Sequence, residues 1–498
     1  MTGRFPDEVE VAIVGSGPAG SAYARVLAEL VPGTRVAMFE VGPRLGEPAG
    51  VHVKNLPDDE AARARTASEG PGPAEVAPWR PGAARVRREG TFLLDAAHAG
   101  GMPSVAMSAC VGGMGAHWTG ACPRPGDDER PDVDGLDELL DTAERLLGVT
   151  RDPFADAPFA GTVRERLAAA LDAGRAPDRR VGPMPLAVRV GADGAVHWSG
   201  ADVVLGEATR ADPAFGLHAE ALVTRVVVED GRAVGVRVRD RRTSEEHAVR
   251  ARHVVVAADA LRTPQLLWAS GVRPAALGRY LNDQPQIVYA VRLRDVAGRP
   301  PAAASAGVSW VPYTRSEPFH GQMMQLDASP IPFVAQDAAP GSIVGLGWFC
   351  AKDVRAEDRV TFDAGDLDAY GLPAPTIHYG LSAVDRERTE AATAAVRRAA
   401  HALGEPLDPA PVVLSAGASL HYQGTVRLGR ADDGTSVCDP TSQVWGVEHL
   451  RVAGNGVIGT EIAANPTLTA LALAVAGARA IAADLTRTLT GARPAQGA

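Results

Sequence analysis

Gly15-Ser16-Gly17-Pro18-Ala19-Gly20 sets three glycines at G-x-G-x-x-G spacing, and Glu40 follows twenty residues after the third. A pyrophosphate needs free backbone N–H groups and room for the main chain to approach it. Gly15 allows the tight turn, Gly17 allows the close approach, and Gly20 lets a helix pack against its strand. The Glu40 carboxylate can accept hydrogen bonds from a ribose diol. It argues against a 2′-phosphate, because two anions repel. The chemistry offered is dinucleotide binding, and these residues alone do not separate NAD from FAD.

Local patterns place these residues on a framework. Val9 to Val14 reads as a strand. The glycine turn then opens a helix through about Leu30, Pro32-Gly33 ends it, and Arg35 to Glu40 reads as a second strand. This is the βαβ entrance to a doubly wound fold. Residues 64–90 are rich in Pro, Gly, Arg and Ala without periodicity, which predicts a long mobile surface loop. Gly135 to Leu147 and Ala383 to Leu403 read as helices, and Ala221 to Glu229 with Ala233 to Asp240 as a hairpin turning at Asp230-Gly231-Arg232. His253 to Ala258 is a short buried strand, and the chain after Gly424 returns to strand, glycine turn and helix.

Composition narrows the function classes. The chain has 498 residues, 46% hydrophobic and 22% charged, as in an ordinary globular enzyme. A net charge of -10 makes nucleic acid an unfavourable partner. The four cysteines, Cys110, Cys122, Cys350 and Cys438, form no CxxC pair and no zinc spacing, so reduced thiols and no metal are expected. No basic, then apolar, leader is visible at the N-terminus. Leu468 to Leu485 is apolar but carries Thr469, Arg479 and Asp484, and it reads as a core helix rather than a membrane span. A cytoplasmic location is the resulting expectation.

Four further segments carry a family resemblance. His421-Tyr422-Gln423-Gly424-Thr425-Val426-Arg427-Leu428-Gly429 resembles the HxxGTxRxG segment of glucose–methanol–choline type flavin oxidoreductases, and Asn465-Pro466-Thr467-Leu468-Thr469 resembles their NPTLT helix start. Val444 to Gly456 is similar to the strand and turn between them. Val256 to Leu267 resembles the second family signature, with Asp259 where glycine is usual. Within the family, Val111-Gly112-Gly113-Met114-Gly115-Ala116-His117-Trp118-Thr119 and Asp368 to Thr376 resemble segments of pyranose oxidases. Fungal pyranose oxidases are longer, so the shorter bacterial branch that oxidises C-glycosides at C3 fits the chain length at least as well.

The resemblance implies FAD, with the glycine turn, Glu40, Gly113, Thr119, Val223, Asn455 and Thr467 around it. His117 resembles the histidine that carries the flavin covalently in many pyranose oxidases; the other reading is a non-covalent site with His117 packed on the ring. Oxidising a secondary alcohol removes a hydroxyl proton and a hydride from the same carbon, and neutral imidazole suits the proton at pH 7. His421 is the implied base, and Asn465 the implied partner of the substrate hydroxyl, with helix capping as its plainer role. A sugar site needs polar groups and aromatic faces. Trp310, Tyr313, Gln322, Gln325 and Asp327 offer that mixture.

The expected architecture is α/β. A discontinuous Rossmann-like FAD-binding domain takes residues 1–125, 216–285 and 420–498. An α+β substrate domain with an antiparallel sheet takes 286–419, and 126–215 adds helices and cover. The expected function is oxidation of a C2 or C3 hydroxyl of a pyranose or glycoside to a keto-sugar, with electrons passing to O2 or a quinone-like acceptor. The competing readings are a sterol or other alcohol as substrate, a flavin-binding protein without turnover, and, weakest, an NAD-dependent dehydrogenase. A monomer or small homo-oligomer without membrane contact completes the expectation.

Overall fold

The computed structural model describes residues 4–61, 91–93, 96–296, 307–325 and 341–489. The 64–90 loop and Asp327 lie outside them.

Two seven-stranded sheets organise the chain. In the first, strands run in the order Phe215–His218, Val36–Phe39, Glu8–Val14, Glu246–Val256, Arg232–Asp240 and Ala221–Glu229, with Leu450–Val452 also on Glu246–Val256. The strands on either side of Glu8–Val14 are parallel to it, and the last two form an antiparallel ribbon. Val11, Ala12, Ile13, Val254, Val255 and Val256 are fully buried, as strands covered on both faces require. The ribbon turns at Asp230 and Gly231, whose φ angles of 47° and 75° are those of a tight hairpin.

Helix Pro18–Leu30 and helix Thr467–Leu489 pack against this sheet and against each other. The long apolar helix is therefore buried in the core, with Leu468, Leu471, Val475, Ala478 and Ile481 turned inward. Helix Leu136–Leu147 adds Leu139, Leu140, Leu146 and Leu147 to the same cluster.

The second sheet is antiparallel, in the order Gly404–Pro406, Gln286–Leu293, Ile343–Cys350, Phe319–Gln325, Val308–Val311 and Gly182–Pro183, with Val412–Val413 also on Gln286–Leu293. Its two faces part by strand alternation. Ile287, Tyr289, Val291, Phe319, Met323, Leu346 and Trp348 point to helix Ala383–Leu403 and form one core. Gln286, Gln322, Met324 and Phe349 point the other way, into the space between the two sheets.

Candidate active site

A cavity of about 530 Å³ lies between the sheets, and most of the residues singled out in the sequence line it. Its wall includes Gly15, Gly17 and Glu40. Gly15 has φ 101°, and a Cβ there would stand 2.3 Å from the Ala257 carbonyl oxygen. A Cβ on Gly17 would meet only Gly112 O at 3.9 Å, so the backbone is open to a close ligand. Gly20 does not line the cavity; a Cβ there would stand 2.2 Å from Gly15 O, so it is the helix-packing glycine.

Glu40 is buried and accepts from Ser16 N at 3.1 Å, Ser16 Oγ at 2.8 Å and Gly42 N at 3.0 Å. Burial raises its pKa and these donors oppose the rise. Gly113, His117, Thr119, Val223, Asn455 and Thr467 continue the wall. The ring of His117 shares a 2.6 Å hydrogen bond with Ser108 Oγ through Nε2, and burial drops its pKa to about 4, so it is neutral at pH 7. A glycine cradle, a buried acid and a neutral His117 lining one cavity fit a dinucleotide carrying a flat ring.

Asp259 explains its own departure from glycine. Its φ is 66°, the left-handed region where glycine is cheapest, and Asp is among the few side chains that tolerate it. Its carboxylate then accepts from Leu261 N at 2.6 Å and Arg262 N at 3.0 Å, capping the helix Asp259–Ala269. Burial pushes this carboxyl up to about 6. From that helix, Arg262 and Gln265 hold Asp368 at 2.5 and 2.8 Å, which seats Tyr370 and Leu372 on the cavity wall.

His421 and Asn465 also line the cavity. Asn465 Nδ2 lies 3.4 Å from His421 Nε2. The Asn465 Oδ1 atom is buried and has no partner among the described residues. A side chain occupied in capping would not leave it so; the amide belongs to the cavity. His421 Nδ1 stands 2.7 Å from Gln284 Oε1, and burial lowers its pKa to about 4. The segment carrying Asn465 is held from two sides. Gln284 Nε2 donates to Ile462 O at 2.6 Å and Ala464 O at 2.9 Å. Glu129 Oε1 accepts from Ala463 N at 2.8 Å and Ala464 N at 3.0 Å.

Among the described residues of the expected sugar contacts, Gln322 lines the cavity and Trp310, Tyr313 and Gln325 do not. Gln325 points to the opposite face of its strand, where its amide donates to Pro158 O and Gly341 O. Trp310 donates from Nε1 to His320 Nδ1 at 3.1 Å, behind the wall. Tyr313 packs on Ala351 and Ala463. Gln286 and Phe349 line the cavity and had not been singled out. They sit directly opposite each other on neighbouring strands. Gln284, Glu129 and Ser108 were missed as well.

Two family models described as GMC oxidoreductase match the chain, at residues 131–286 and 355–474, more than half of it between them. The chain is a GMC oxidoreductase. It is 58% identical to a C-glycoside 3-oxidase of Arthrobacter globiformis, across 98% of this chain and 97% of the relative. A C-glycoside 3-oxidase of Microbacterium trichothecenolyticum is also 58% identical, over 97% and 98%. Pyranose 2-oxidase of Tricholoma matsutake is 33% identical, over 96% and 94%. In fold the chain is similar to formate oxidase, with TM-score 0.69 and 14% identity over 96% of this chain and 99% of that one. Pyridoxine 4-oxidase from Mesorbium loti gives 0.67 and 20%, over 95% and 99%. The GMC oxidoreductase is thus an FAD-dependent enzyme, and the glycine turn, Glu40 and His117 on its cavity wall fit that cofactor.

Proposed function

We propose that this GMC oxidoreductase oxidises the C3 hydroxyl of a pyranose glycoside, C-glycosides included, to the 3-keto sugar. The observation that carries the reading is the pair His421 and Asn465, 3.4 Å apart at the cavity wall, in a chain 58% identical end to end to two C-glycoside 3-oxidases. FAD, when bound, supplies the hydride acceptor.

The protein's part is the proton. His421 Nε2 is the nitrogen facing the cavity, and it is neutral at pH 7 because burial disfavours the imidazolium. A hydroxyl placed between it and Asn465 donates its proton to Nε2 while Asn465 Nδ2 donates to the oxygen. That geometry leaves the C–H bond of the same carbon as the one to break. Gln286 and Gln322 offer carboxamides for the remaining hydroxyls, and the Phe349 ring offers an apolar face for sugar C–H groups. A sterol skeleton would offer these amides no hydroxyl partners, and a polar group covered without a hydrogen bond costs about 1–3 kcal/mol. A binder without turnover would have no use for a buried neutral imidazole with an Asn amide set against its Nε2 and the amide oxygen left open. O2 or a quinone-like acceptor takes the electrons in the second half of the cycle. The four cysteines are free and buried, which suits a cytoplasmic, reducing location.

The test is anaerobic bleaching of the flavin band by glycosides in wild type and His421→Ala. Severely slowed bleaching in the variant, with flavin still bound, supports the reading. Near-normal bleaching would remove His421 as the base.

A further inference from the structure

We infer that Gln284 is a positioning residue which decides the tautomer of His421 and, with the same carboxamide, the place of Asn465. The inference rests on the reading of His421 as the base.

The direction of the Gln284 carboxamide follows from its surroundings. One end faces two carbonyl oxygens, Ile462 O at 2.6 Å and Ala464 O at 2.9 Å. Carbonyls only accept, so that end is the NH2 group. The other end is then Oε1, which also only accepts. His421 Nδ1 lies 2.7 Å from it and must therefore carry the ring hydrogen. A neutral imidazole has one N–H, so Nε2 holds the lone pair. The second contact agrees: the group on Nε2 is Asn465 Nδ2, a donor. The Gln284 contact specifies the tautomer, and the Asn465 contact is compatible with it.

The alternative tautomer would present N–H to the substrate hydroxyl, and an N–H cannot take a proton. Gln284 is 1% exposed, so water does not compete for its amide. Its two donated bonds fall on the backbone just before Asn465. Glu129 takes the N–H groups of that same stretch, so Gln284 and Glu129 together replace the strand neighbours this segment lacks. One side chain thus sets which nitrogen faces the hydroxyl and where the hydroxyl's second partner stands.

Residue type matters as much as position. Glutamate at 284 would turn a carboxylate oxygen on two carbonyls and draw a proton onto His421. Among the described residues, the other titratable groups near His421 are His320, from the strand Phe319–Gln325, and Asp283, which meets the His421 backbone N–H. Burial lowers His320 to about 3 and keeps it neutral. Asp283 is committed to Ser419 Oγ and to Gly417 N at 2.8 Å. Neither supplies an acceptor for His421 Nδ1.

The experiment uses the holoenzyme with 15N-labelled histidine, the His421 signals being assigned by their loss in His421→Ala. A protonated Nδ1 and a bare Nε2 in the wild type are expected; the reverse pattern would overturn the inference. In Gln284→Glu, the acid limb of the flavin-reduction rate should move up by at least about one pH unit, as a carboxylate beside an imidazole demands. Gln284→Met, with no charge, should keep its flavin and lose at least about tenfold in kcat, with KM changed far less. An unmoved limb together with an unchanged kcat would overturn the role of Gln284 alone. Normal flavin reduction by His421→Ala would overturn the base reading beneath it. The wild-type tautomer decides even where a variant fails to fold.

Discussion

His421 Nε2 and Asn465 Nδ2 face each other at 3.4 Å although 44 residues separate them in the chain. The distance is too long for a strong hydrogen bond and short enough that one hydroxyl oxygen could bridge both groups. Asn465→Ala should therefore slow flavin reduction by about 10- to 100-fold, the loss of one oriented hydrogen bond, while FAD stays bound. Stopped-flow absorbance under anaerobic conditions checks this. An unchanged rate would mean the amide does not touch the reacting oxygen.

The pH dependence has a definite sign. The base acts as neutral imidazole, and burial holds His421 at about 4 in the free protein. kcat/KM for flavin reduction should stay flat down through pH 5 and fall as pH drops through about 4. Imidazolium then replaces imidazole and cannot accept the proton. A fall centred at 6 to 7, the usual histidine range, would contradict a desolvated base.

Gln286 and Gln322 should act on substrate binding more than on the proton step. Each, replaced by leucine, should lower kcat/KM for a glycoside by about tenfold, the worth of one hydrogen bond to a hydroxyl. Steady-state kinetics with deoxy-glycosides would show which hydroxyl each amide meets. The variant and the matching deoxy-substrate should not be additive.

The flavin should leave the polypeptide on acid precipitation. His117 Nε2, a nitrogen through which a covalent bond would run, is engaged by Ser108 Oγ at 2.6 Å. That contact is the ground for expecting non-covalent flavin. Yellow colour remaining in the pellet would assign the bond.

Lys352 tests the scaffold. It is one of two lysines in the chain and is 1% exposed, with Nζ 2.6 Å from Asp358 and 3.9 Å from Asp385. Its carbonyl receives Asn282 Nδ2 at 2.9 Å, two residues before Gln284. Lys352→Met should destabilise the fold by about 3 kcal/mol, because Asp358 and Asp385 are left buried with less compensation. Thermal melting of the holoenzyme measures this, and an unchanged Tm would contradict it.

Sequence and structure part company in an instructive way. The glycine turn was readable because its three glycines and Glu40 lie within one βαβ unit, where spacing alone fixes geometry. Asp259 stood out as an oddity, and only its φ of 66° shows why it works. Gln325 was a misplacement that alternation explains. It lies three residues from Gln322 on one strand, so the two side chains take opposite faces. Gln284 and Glu129 gave no local signal at all. Their partners, Ile462 to Ala464, are brought to them by the tertiary fold, and no spacing within the chain encodes such a meeting.

The most direct measurement is anaerobic bleaching of the flavin band by glucose, a C-glycoside, an O-glycoside and a sterol, with NMR identification of each product. The account predicts bleaching by the glycosides and a carbonyl at C3 of the sugar ring. Bleaching by the sterol alone would contradict it.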